Sequence, residues 1–522
     1  MNLLPLPLLL SFLFVPSDSY KILVYNSKFA YSHSAFLGGI ADVLVEAGNN
    51  VTSLIPILKP TGKDGTSKTT IIYIGEENAS QEEHDFDVLD VNPLEPIGAF
   101  MLGRGMAEHF RKNCENVLAE AALLETLRKE HYDVLIAENF DSCGVGLVHV
   151  LKPKAFIGTS ASTFYGPHYA HFGIPAAVSY NPSVFATSLD VHSLWSRLVN
   201  LYGHVLIGVQ FGSLHAAVDR VFKDKFDDFP GLTEISSRSA FVFSNSEPLI
   251  DFAPPTLSKV VYIPGIGARP AAKLDKKWSE VLDRRQRNIL VSFGSNVKSS
   301  GFPIEVKRTI LKMTTHFPDC TFIWKYEKTE DEFAKNEIAK HSNVHITDWM
   351  PQSDLLGDPR LTMFITHGGM ASSQEIAQRG VPGVFIPFFG DQPRNAFMME
   401  YNGLGKVLDK KYLRNADKLV EAVKTVLEDD RYAQQARHTA RMLAKKPHSS
   451  AELVVKYVEF AAEFGAAAAL RPQSHDMNFI EYNNLDLIIV ALLVAFTAVY
   501  VTFKTLRCLA SLILFKSKSK KD

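Results

Sequence analysis

A His-Gly-Gly sequence, His367-Gly368-Gly369, is the segment of this chain best suited to bind an anion. It follows the apolar run 363–366 and precedes a predicted helix over 372–380. The two glycines let the backbone approach a ligand closely, and the free amide groups at a helix start attract negative charge. His367 can add a hydrogen bond. The pattern predicts a diphosphate site, and the alternative is a tight turn that needs two glycines.

A second set of polar residues is suited to bind a sugar. Asp391 and Gln392 follow the apolar run 384–387 and open another predicted helix. A carboxylate next to an amide can hold vicinal hydroxyls, although an aspartate at this position can also be only a helix N-cap. Glu375, inside the helix that follows His367, can accept hydrogen bonds from a ribose.

Trp349 and Gln352 are candidates for binding a flat base. Trp349 offers an aromatic face and Gln352 an amide for the edge of the base, although a tryptophan in such a loop is more often part of the packing. The carboxyl ends of parallel strands meet at one edge of a sheet, so these residues should lie near His367 and Asp391. Together they predict a nucleotide-sugar site.

His33 is the candidate general base. It follows the apolar run 21–25 and directly precedes a predicted helix. A neutral imidazole, with an unperturbed pKa of about 6.5, can accept the proton of an attacking hydroxyl at neutral pH. From its position alone, a solvated histidine without a role is the more common case.

The composition excludes several classes of protein. The chain has 522 residues and is 46% hydrophobic, with 55 Lys and Arg against 57 Asp and Glu, so no basic surplus favours binding to nucleic acid. Its length predicts two domains stabilised by buried cores. The cysteines show no C-x-x-C spacing and predict neither a disulfide scaffold nor a zinc site; they are Cys114, Cys143, Cys320 and Cys508.

Two series of alternating strands and helices must position these side chains. The predicted strands are 21–25, 51–55, 134–137, 155–158 and 241–244 in the first series, and 289–293, 321–326, 363–366 and 383–387 in the second. A stretch rich in Pro and Gly, 264–270, separates them. The pattern predicts an α/β protein with two Rossmann-like domains facing across a cleft. We refer to residues 20–264 as the N-terminal half and to residues 265–465 as the C-terminal half.

Both ends of the chain predict a membrane protein. Residues 1–19 have the composition of a cleaved signal peptide. After a linker, 466–486, the uncharged stretch 487–503 is long enough to cross a bilayer as a helix. The basic tail 504–522 favours the cytoplasmic side and ends with lysines spaced as in a retrieval signal for the endoplasmic reticulum. A buried strand and a buried core helix are the alternatives for the two apolar stretches.

One long apolar face remains unassigned within residues 190–222. Most such faces belong to a core, but this one can also line a lipophilic pocket or contact the membrane surface. Its residues are Leu194, Trp195, Leu198, Leu201, Val205 and Val209.

The ordered series from Trp349 to Asn395 resembles the donor motif of the UDP-glycosyltransferases, in particular the membrane-anchored UDP-glucuronosyltransferase type. The resemblance extends over nearly the whole chain, including the loop 31–34, the span and the basic tail. It implies a GT-B type fold and a donor site without a metal. The donor residues that it implies are Ser292, Gly294 and Ser295 for phosphate and sugar, Trp349 and Gln352 for uracil, His367, Gly368, Gly369 and Ser372 for the diphosphate, Glu375 for the ribose, and Asp391 with Gln392 for the sugar.

The resemblance also assigns His33 as the base, with one departure in its partner. The family orients its base with an aspartate, and Glu138 occupies the matching position here. Glu138 is favoured as the orienting carboxylate, and Asp141 is the alternative.

A second departure lies at the diphosphate. Many vertebrate members have an asparagine where this chain has Ala371. The missing polar contact would then be supplied by Ser372 or Ser373.

Two further motifs point to modification and to metal binding. Asn50 and Asn78 begin N-glycosylation sequons. Asp85-Phe86-Asp87 has the D-x-D spacing by which another class of glycosyltransferases holds manganese, but its acidic surroundings favour a solvated loop. As the resemblance implies, no metal and no other cofactor are expected.

The implied reaction is an inverting transfer of a sugar from UDP to a hydroxyl of a small lipophilic acceptor, as in conjugation and detoxification. Glucuronate is the favoured sugar, with Arg269 or Arg394 considered as the cation for its carboxylate, and glucose is the alternative. The expected partners are the donor, the acceptor and the bilayer, with a possible homo-oligomer. A glycoside hydrolase and a non-catalytic, membrane-tethered carrier of lipophilic molecules are the competing functions.

Overall fold

The computed structural model describes residues 19–58, 63–75, 89, 96–186, 190–267, 271–295 and 297–518. The predicted signal peptide lies outside these residues apart from Ser19. The chain forms two compact units, Met1–Leu470 and Arg471–Asp522, which we describe separately.

A parallel sheet of seven strands forms the centre of the N-terminal half, in the order β3-β2-β1-β4-β5-β6-β7. The strands at its centre are apolar and buried on both faces, as expected for a parallel sheet covered by helices. The strands are β1 Lys21–Tyr25, β2 Asn50–Pro56, β3 Thr70–Ile74, β4 Val134–Glu138, β5 Ala155–Ser160, β6 Phe241–Ser244 and β7 Val260–Tyr262.

A second parallel sheet, of six strands, forms the C-terminal half in the order β10-β9-β8-β11-β12-β13. In both sheets the strand order reverses beside the first strand of the series, which is where open parallel sheets bind ligands. The strands are β8 Arg287–Ser292, β9 Cys320–Lys325, β10 Val344–Thr347, β11 Leu361–Thr366, β12 Gly383–Phe385 and β13 Gly405–Val407.

Helices connect the strands and cover both sheets. In chain order they are α1 Tyr31–Glu46, α2 Pro96–Ala119, α3 Ala121–Lys129, α4 Cys143–Leu151, α5 Pro167–Phe172, α6 Leu194–Lys225, α7 Leu232–Ser237, α8 Lys276–Leu282, α9 Ile304–Thr314, α10 Glu332–Asn336, α11 Gln352–Gly357, α12 Met370–Arg379, α13 Gln392–Tyr401, α14 Ala416–Glu428, α15 Asp430–Ala444, α16 Ser450–Phe464, α17 Phe479–Tyr482 and α18 Leu485–Lys518.

All nine predicted strands are present, and the four strands that were not predicted are β3, β7, β10 and β13. These four are the edge strands of the two sheets. An edge strand is partly exposed and short, so its apolar run is weaker than that of a central strand.

The last helix of the first unit, α16, packs against the sheet of the N-terminal half. Its buried Val454, Val458 and Ala461 belong to the same apolar cluster as Ile22 and Val24 of β1. The spacing of three and four residues places them on one face of the helix. The chain therefore returns to the first sheet after it has completed the second one.

One disulfide, between Cys114 of α2 and Cys143 of α4, joins two helices of the N-terminal half. The cysteine spacing gave no sign of it, because the two residues are 29 positions apart and meet only in the folded chain. Disulfides persist in oxidising compartments such as the lumen of the secretory pathway.

The second unit contains α17 and α18. The described part of α18 includes an apolar candidate membrane span, Leu485–Ser511, whose side chains are not buried by protein. The helix is longer than the predicted span 487–503 and continues through Lys504 and Arg507, so the predicted boundary of the basic tail is not a helix end.

Candidate active site

His33 lies in the first turn of α1 and contacts the carboxylate of Glu138, the last residue of β4. The distance between His33 Nδ1 and Glu138 Oε2 is 2.7 Å. Because a carboxylate only accepts, Nδ1 carries the proton in the neutral ring, and Nε2 keeps a lone pair for a hydroxyl proton. The backbone amide of Ala161 donates to Glu138 Oε1 at 2.8 Å and fixes the carboxylate. The pair has the arrangement of a base with its orienting acid.

The pKa of His33 is raised above its ordinary value. Burial alone would lower it, but the charge and hydrogen bond of Glu138, together with the charge of Asp391, outweigh that effect. Asp391 belongs to the C-terminal half, so a carboxylate from that half also raises the pKa of this imidazole.

Asp141, the alternative orienting acid, forms no hydrogen bond with His33. Its Oδ1 accepts from the backbone amide of Cys143 at 3.1 Å, at the start of α4. Burial raises the pKa of Asp141 to about 6, against hydrogen bonds that favour the ionised form. The geometry therefore favours Glu138 as the partner of the base.

Aromatic rings surround His33. The ring of Phe29 lies 4.6 Å and the ring of Phe140 5.1 Å from the imidazole, measured between centroids. Phe110 and Phe211 pack edgewise or tilted against Phe140. We call these four phenylalanines the aromatic box. Phe110 and Phe140 are buried and Phe29 and Phe211 are partly exposed, so the box is an apolar wall next to His33.

His168, which was not predicted from the sequence, is a second imidazole near His33 and Glu138. His168 is buried on α5, and its ring lies 4.8 Å from that of Tyr165. Burial lowers the pKa of His168 to about 4, partly offset by the charge of Glu138. A neutral histidine therefore lies close to the pair of base and acid. Its signal in the sequence is weak, because it lies in a helix too short to show a pattern.

His367, the first residue after β11, is held between two glycine loops. A Cβ atom on Gly294 or on Gly369 would lie 2.7 or 2.6 Å from the imidazole, so neither position tolerates a side chain without a shift. Burial lowers the pKa of His367 to about 4. The ring is therefore neutral at physiological pH and can offer a ligand a hydrogen bond but no charge.

The start of α12 supplies free backbone amides. Its N-cap residue, Gly369, has no side chain to cap the helix, so the first amide groups remain available to an anion. Ala371 is exposed at this helix start. The side-chain amide of Gln352 donates from Nε2 to Ser372 Oγ at 3.3 Å. Ser373 is fully buried. Of the two serines considered for the phosphate contact, Ser372 is the better placed.

The residues predicted for the nucleoside lie together. Gln352, the first residue of α11, donates from Nε2 to Glu375 Oε2 at 2.6 Å. Trp349 follows β10 and remains 54% exposed. Lys63, from the N-terminal half, lies over its ring with Nζ 4.1 Å from the centroid. A base that stacks on this face would displace Lys63.

Lys325, the last residue of β9, is a cation in this region that the sequence analysis did not identify. Its Nζ donates to the carbonyl oxygen of Gly294 at 2.6 Å and lies 5.7 Å from the centroid of Trp349. Burial lowers its pKa, against the charge of Glu327. The sequence feature that could have identified Lys325 is its position at the carboxyl end of a predicted strand. Ser292, the last residue of β8, is buried, and Ser295, in the loop that follows, is exposed.

Asp391, at the start of α13, joins the two halves of the site. Ser162, which follows β5, donates from Oγ to Asp391 Oδ2 at 2.6 Å, and Asn395 donates to the same oxygen at 2.9 Å. Its side chain does not cap α13, contrary to the alternative considered above. Gln392 is buried, and its Oε1 accepts hydrogen bonds from the backbone amides of Phe388 and Phe389. This oxygen therefore stabilises the turn that precedes α13.

Arg394 is buried in an ion pair across the two halves. Its Nη2 donates to Asp251 Oδ1 at 2.6 Å, and its Nε donates to the carbonyl oxygen of Pro182 at 3.2 Å. It is therefore not available to a sugar carboxylate. Arg269, the other cation considered, lies outside the described residues.

The remaining predictions concern surface motifs and metal binding. Asn50 is exposed at the start of β2, whereas Asn78 and the D-x-D sequence 85–87 lie outside the described residues. Within the described part of the chain, no group of three or more His, Cys, Asp or Glu side chains is arranged to hold a metal ion.

Comparisons with known sequences agree with the resemblance. The family model described as "UDP-glucoronosyl and UDP-glucosyl transferase" matches residues 20–521. The human UDP-glucuronosyltransferase 3A2 is 28% identical, with 91% of each chain covered. The Bos taurus UDP-glucuronosyltransferase 3A1 is 27% identical over 97% of this chain and 96% of the relative.

Solved structures of glycosyltransferases share the fold. The glycotransferase of kitacinnamycin superposes with a TM-score of 0.60 at 15% identity, over 85% of this chain and 99% of the other. UGT2 of Phytolacca americana, solved with UDP-2fluoro-glucose and pterostilbene, has a TM-score of 0.55 at 14% identity, over 85% and 100% of the two chains. The predicted fold class, two Rossmann-like domains of the GT-B type with a C-terminal apolar helix, is confirmed.

Proposed function

The chain belongs to the UDP-glucuronosyl and UDP-glucosyl transferase family, and from this premise we propose that it transfers glucuronate from UDP to a hydroxyl of a small lipophilic acceptor with inversion. The family establishes a glycosyltransferase that uses a UDP-sugar. The observation that supports the mechanism is the contact between the two halves at Asp391. The charge of this residue raises the pKa of His33, and its carboxylate accepts a hydrogen bond from Ser162.

The reaction is a single displacement. His33, held by Glu138, takes the proton of the acceptor hydroxyl as its oxygen attacks the anomeric carbon from the face opposite UDP. The bond from that carbon to the diphosphate oxygen breaks at the same time. The amides at the start of α12 and the cation of Lys325 stabilise the negative charge that develops on the departing diphosphate. These groups supply the role that a metal ion has in other transferases.

The aromatic box supports an acceptor with an apolar, planar body. It lies directly beside the imidazole that receives the proton. A phenol placed against the partly exposed Phe29 would bring its hydroxyl close to His33. The proposal therefore places conjugation of lipophilic phenols first among the acceptor classes.

A neutral hexose is the second candidate for the sugar. The burial of Arg394 in the pair with Asp251 makes it unavailable to a glucuronate carboxylate, for which it was one of the two cations considered from the sequence. This observation favours UDP-glucose, whereas the names of the human and bovine relatives favour UDP-glucuronate.

The test is transfer by the purified full chain to a phenol with UDP-glucuronate or UDP-glucose, in the presence of EDTA. We expect a β-linked glucuronide as the main product, detected by mass and by NMR. Faster turnover of UDP-glucose than of UDP-glucuronate would assign glucose as the transferred sugar. Activity that returns only with added manganese would contradict the metal-free site. Acceptor binding without UDP release would indicate a carrier.

Lys325→Met should weaken the binding of UDP. The variant removes a charge-assisted hydrogen bond at the diphosphate, which is worth about 1.5–3 kcal/mol and corresponds to a loss of about 10- to 150-fold in affinity. Isothermal titration calorimetry with UDP measures the effect. Lys325→Arg retains the charge and serves as the matched control. An unchanged affinity in Lys325→Met would place the diphosphate away from this residue.

A further inference from the structure

His168 is a buried imidazole that the proposed mechanism does not use. It is the second residue of α5 and is only 3% exposed. Its Nδ1 is completely buried and has no hydrogen-bond partner in the part of the chain that the structure describes. Most buried polar groups of native proteins are paired, because an unpaired one costs free energy on folding. The packing of the N-terminal half therefore does not explain why a histidine stands here.

The surroundings of His168 place it beside the proposed acceptor. Its ring lies 4.8 Å from that of Tyr165, which lies 5.3 Å from the ring of Phe211 in the aromatic box. Tyr165 and Phe211 are both partly exposed. The charges of His33 and Glu138 both act on the pKa of His168, so this imidazole lies near the base and its orienting acid.

The backbone fixes the position of this imidazole. Gly166, directly before α5, has a φ of +50°, and a Cβ atom there would lie 3.2 Å from the carbonyl oxygen of Ile207 in α6. The start of α5 is therefore pressed against α6. Upstream, the same short segment is held to the orienting acid, because the amide of Ala161 donates to Glu138. His168 thus stands on a support that is tied to the catalytic pair, as a group that binds substrate requires.

The neutral ring of His168 presents a hydrogen-bond donor. Burial lowers its pKa to about 4, so the imidazole is neutral at physiological pH and has one N–H and one lone pair. A buried N–H without an acceptor is rarer in proteins than a buried acceptor without a donor. The completely buried Nδ1 is therefore assigned the lone pair, and Nε2 the proton. An Nε2–H group binds an oxygen.

We propose that Nε2 of His168 donates a hydrogen bond to a second oxygen of the acceptor, apart from the hydroxyl that reacts at His33. The enzyme then selects lipophilic phenols that carry a further hydroxyl, carbonyl or ether oxygen. A purely apolar acceptor covers the N–H and leaves it unpaired, whereas the second oxygen satisfies it. This selection rests on the proposed transfer to phenols and does not depend on which sugar is transferred.

The acceptor preference of the full chain tests this proposal. The acceptors are para-phenylphenol and its derivatives with a second hydroxyl at the ortho, meta or para position of the outer ring. Rates are divided by the number of reactive hydroxyls, and the products are identified by mass and by NMR. We expect at least one diol to exceed para-phenylphenol in kcat/KM by about 5- to 150-fold. The difference should lie mainly in KM, since the hydrogen bond forms on binding and persists in the transition state.

Two variants assign the preference to this residue. His168→Phe removes the donor and keeps a ring, so the advantage of the diol should be lost while the affinity for UDP is unchanged. His168→Gln keeps an N–H donor and should restore part of the advantage. If His168→Phe does not fold, the preference of the wild-type chain and of His168→Gln still decides the proposal.

His204→Phe is the matched control, at a buried histidine that has a protein partner. Its Nε2 lies 2.9 Å from the carbonyl oxygen of Asn181, so the variant should lower the thermal unfolding midpoint and leave the preference for the diol as it is. His168→Phe should keep or raise the midpoint, because the free enzyme loses a buried polar group without a partner. A lowered midpoint in His168→Phe, with the preference intact, would show that His168 serves only packing.

Equal kcat/KM for para-phenylphenol and all its diols in the wild-type chain would overturn the role of His168 and leave the proposed function in place. Failure to transfer sugar to any phenol would instead contradict the proposed function. Calorimetric titration of the same acceptors in the presence of UDP would then decide the role of His168. Tighter binding of a diol that is lost in His168→Phe would support it, and equal binding would overturn it.

Discussion

His33→Ala should lower the rate of sugar transfer by about 10²–10⁴-fold, the usual contribution of a positioned general base. The variant removes the proton acceptor but leaves the donor loops of the C-terminal half intact. UDP should therefore bind with unchanged affinity. The measurement is kcat with a phenol acceptor, combined with UDP titration.

His316→Ala is the matched control for this variant. His316 is an exposed imidazole just after α9, and its Nδ1 lies 3.0 Å from the carbonyl oxygen of Lys312. Its replacement should leave transfer unchanged. If His33→Ala retained normal turnover, another group would have to act as the base, and the neutral, buried His168 would be the next candidate.

The pH dependence of kcat/KM follows from the raised pKa of His33. The imidazole acts as a base only when neutral, so activity should rise with pH through a pKa above the ordinary value of about 6.5. Glu138→Gln removes the carboxylate that raises this pKa while burial still lowers it. The acidic limb should shift to lower pH, and kcat should fall because the cationic ring loses its partner. A limb that does not move would mean that another group titrates.

Central strands and donor loops were predictable because apolar runs and the polar residues that follow them are local features. β6 has the predicted bounds, 241–244, and His367 and Asp391 follow their strands as expected. The pattern works where a strand is buried on both faces. It does not predict the edge strands, most of whose residues are only partly buried.

The features that sequence reasoning missed depend on tertiary approach. Cys114 and Cys143 meet only because α2 and α4 lie side by side. Arg394 has the chemistry of an anion ligand, but the fold places Asp251 against it. The sequence shows which side chains can form an ion pair or a hydrogen bond, and only the packing of the halves decides which pairs form.

The exposed apolar face of α6, which includes Leu194, Trp195 and Leu198, shows a different limit of prediction from sequence. Its periodicity was visible, and a core position was the more common expectation for such a face. Exposure depends on what packs against the helix, and the loop around Asn181 and Ser183 covers only the polar side of α6. Hydrophobic periodicity therefore identifies a face but does not identify its partner.

Asp251→Asn should destabilise the first unit by about 3–5 kcal/mol, because it leaves the buried guanidinium of Arg394 without its counter-charge. Both side chains are almost completely buried. The pair joins the segment after β6 to α13, so the loss should also loosen the contact between the two halves. The thermal unfolding midpoint and the denaturant midpoint of the full chain measure this effect.

The double variant Asp251→Asn with Arg394→Met distinguishes the effect of the unpaired charge from the effect of altered packing. Removing the second charge should recover much of the lost stability, because the main cost in the single variant is the unpaired buried cation. Glu421→Gln, which breaks the exposed pair with Lys418, is the control and should change stability by only about 0–1 kcal/mol. A double variant no more stable than Asp251→Asn would show that packing, not charge, determines the loss.

The pH dependence of stability gives an independent check on the same pair. Although burial opposes ionisation, Arg394 and the hydrogen bonds hold the pKa of Asp251 below its ordinary value. A depressed folded pKa contributes stability above the unfolded value of about 3.9, and this contribution is lost as the pH falls below that value. The wild-type chain should therefore lose stability on acidification more steeply than Asp251→Asn. Equal slopes would show that the pair is not the source of the acid sensitivity, since the variant has no carboxylate there to protonate.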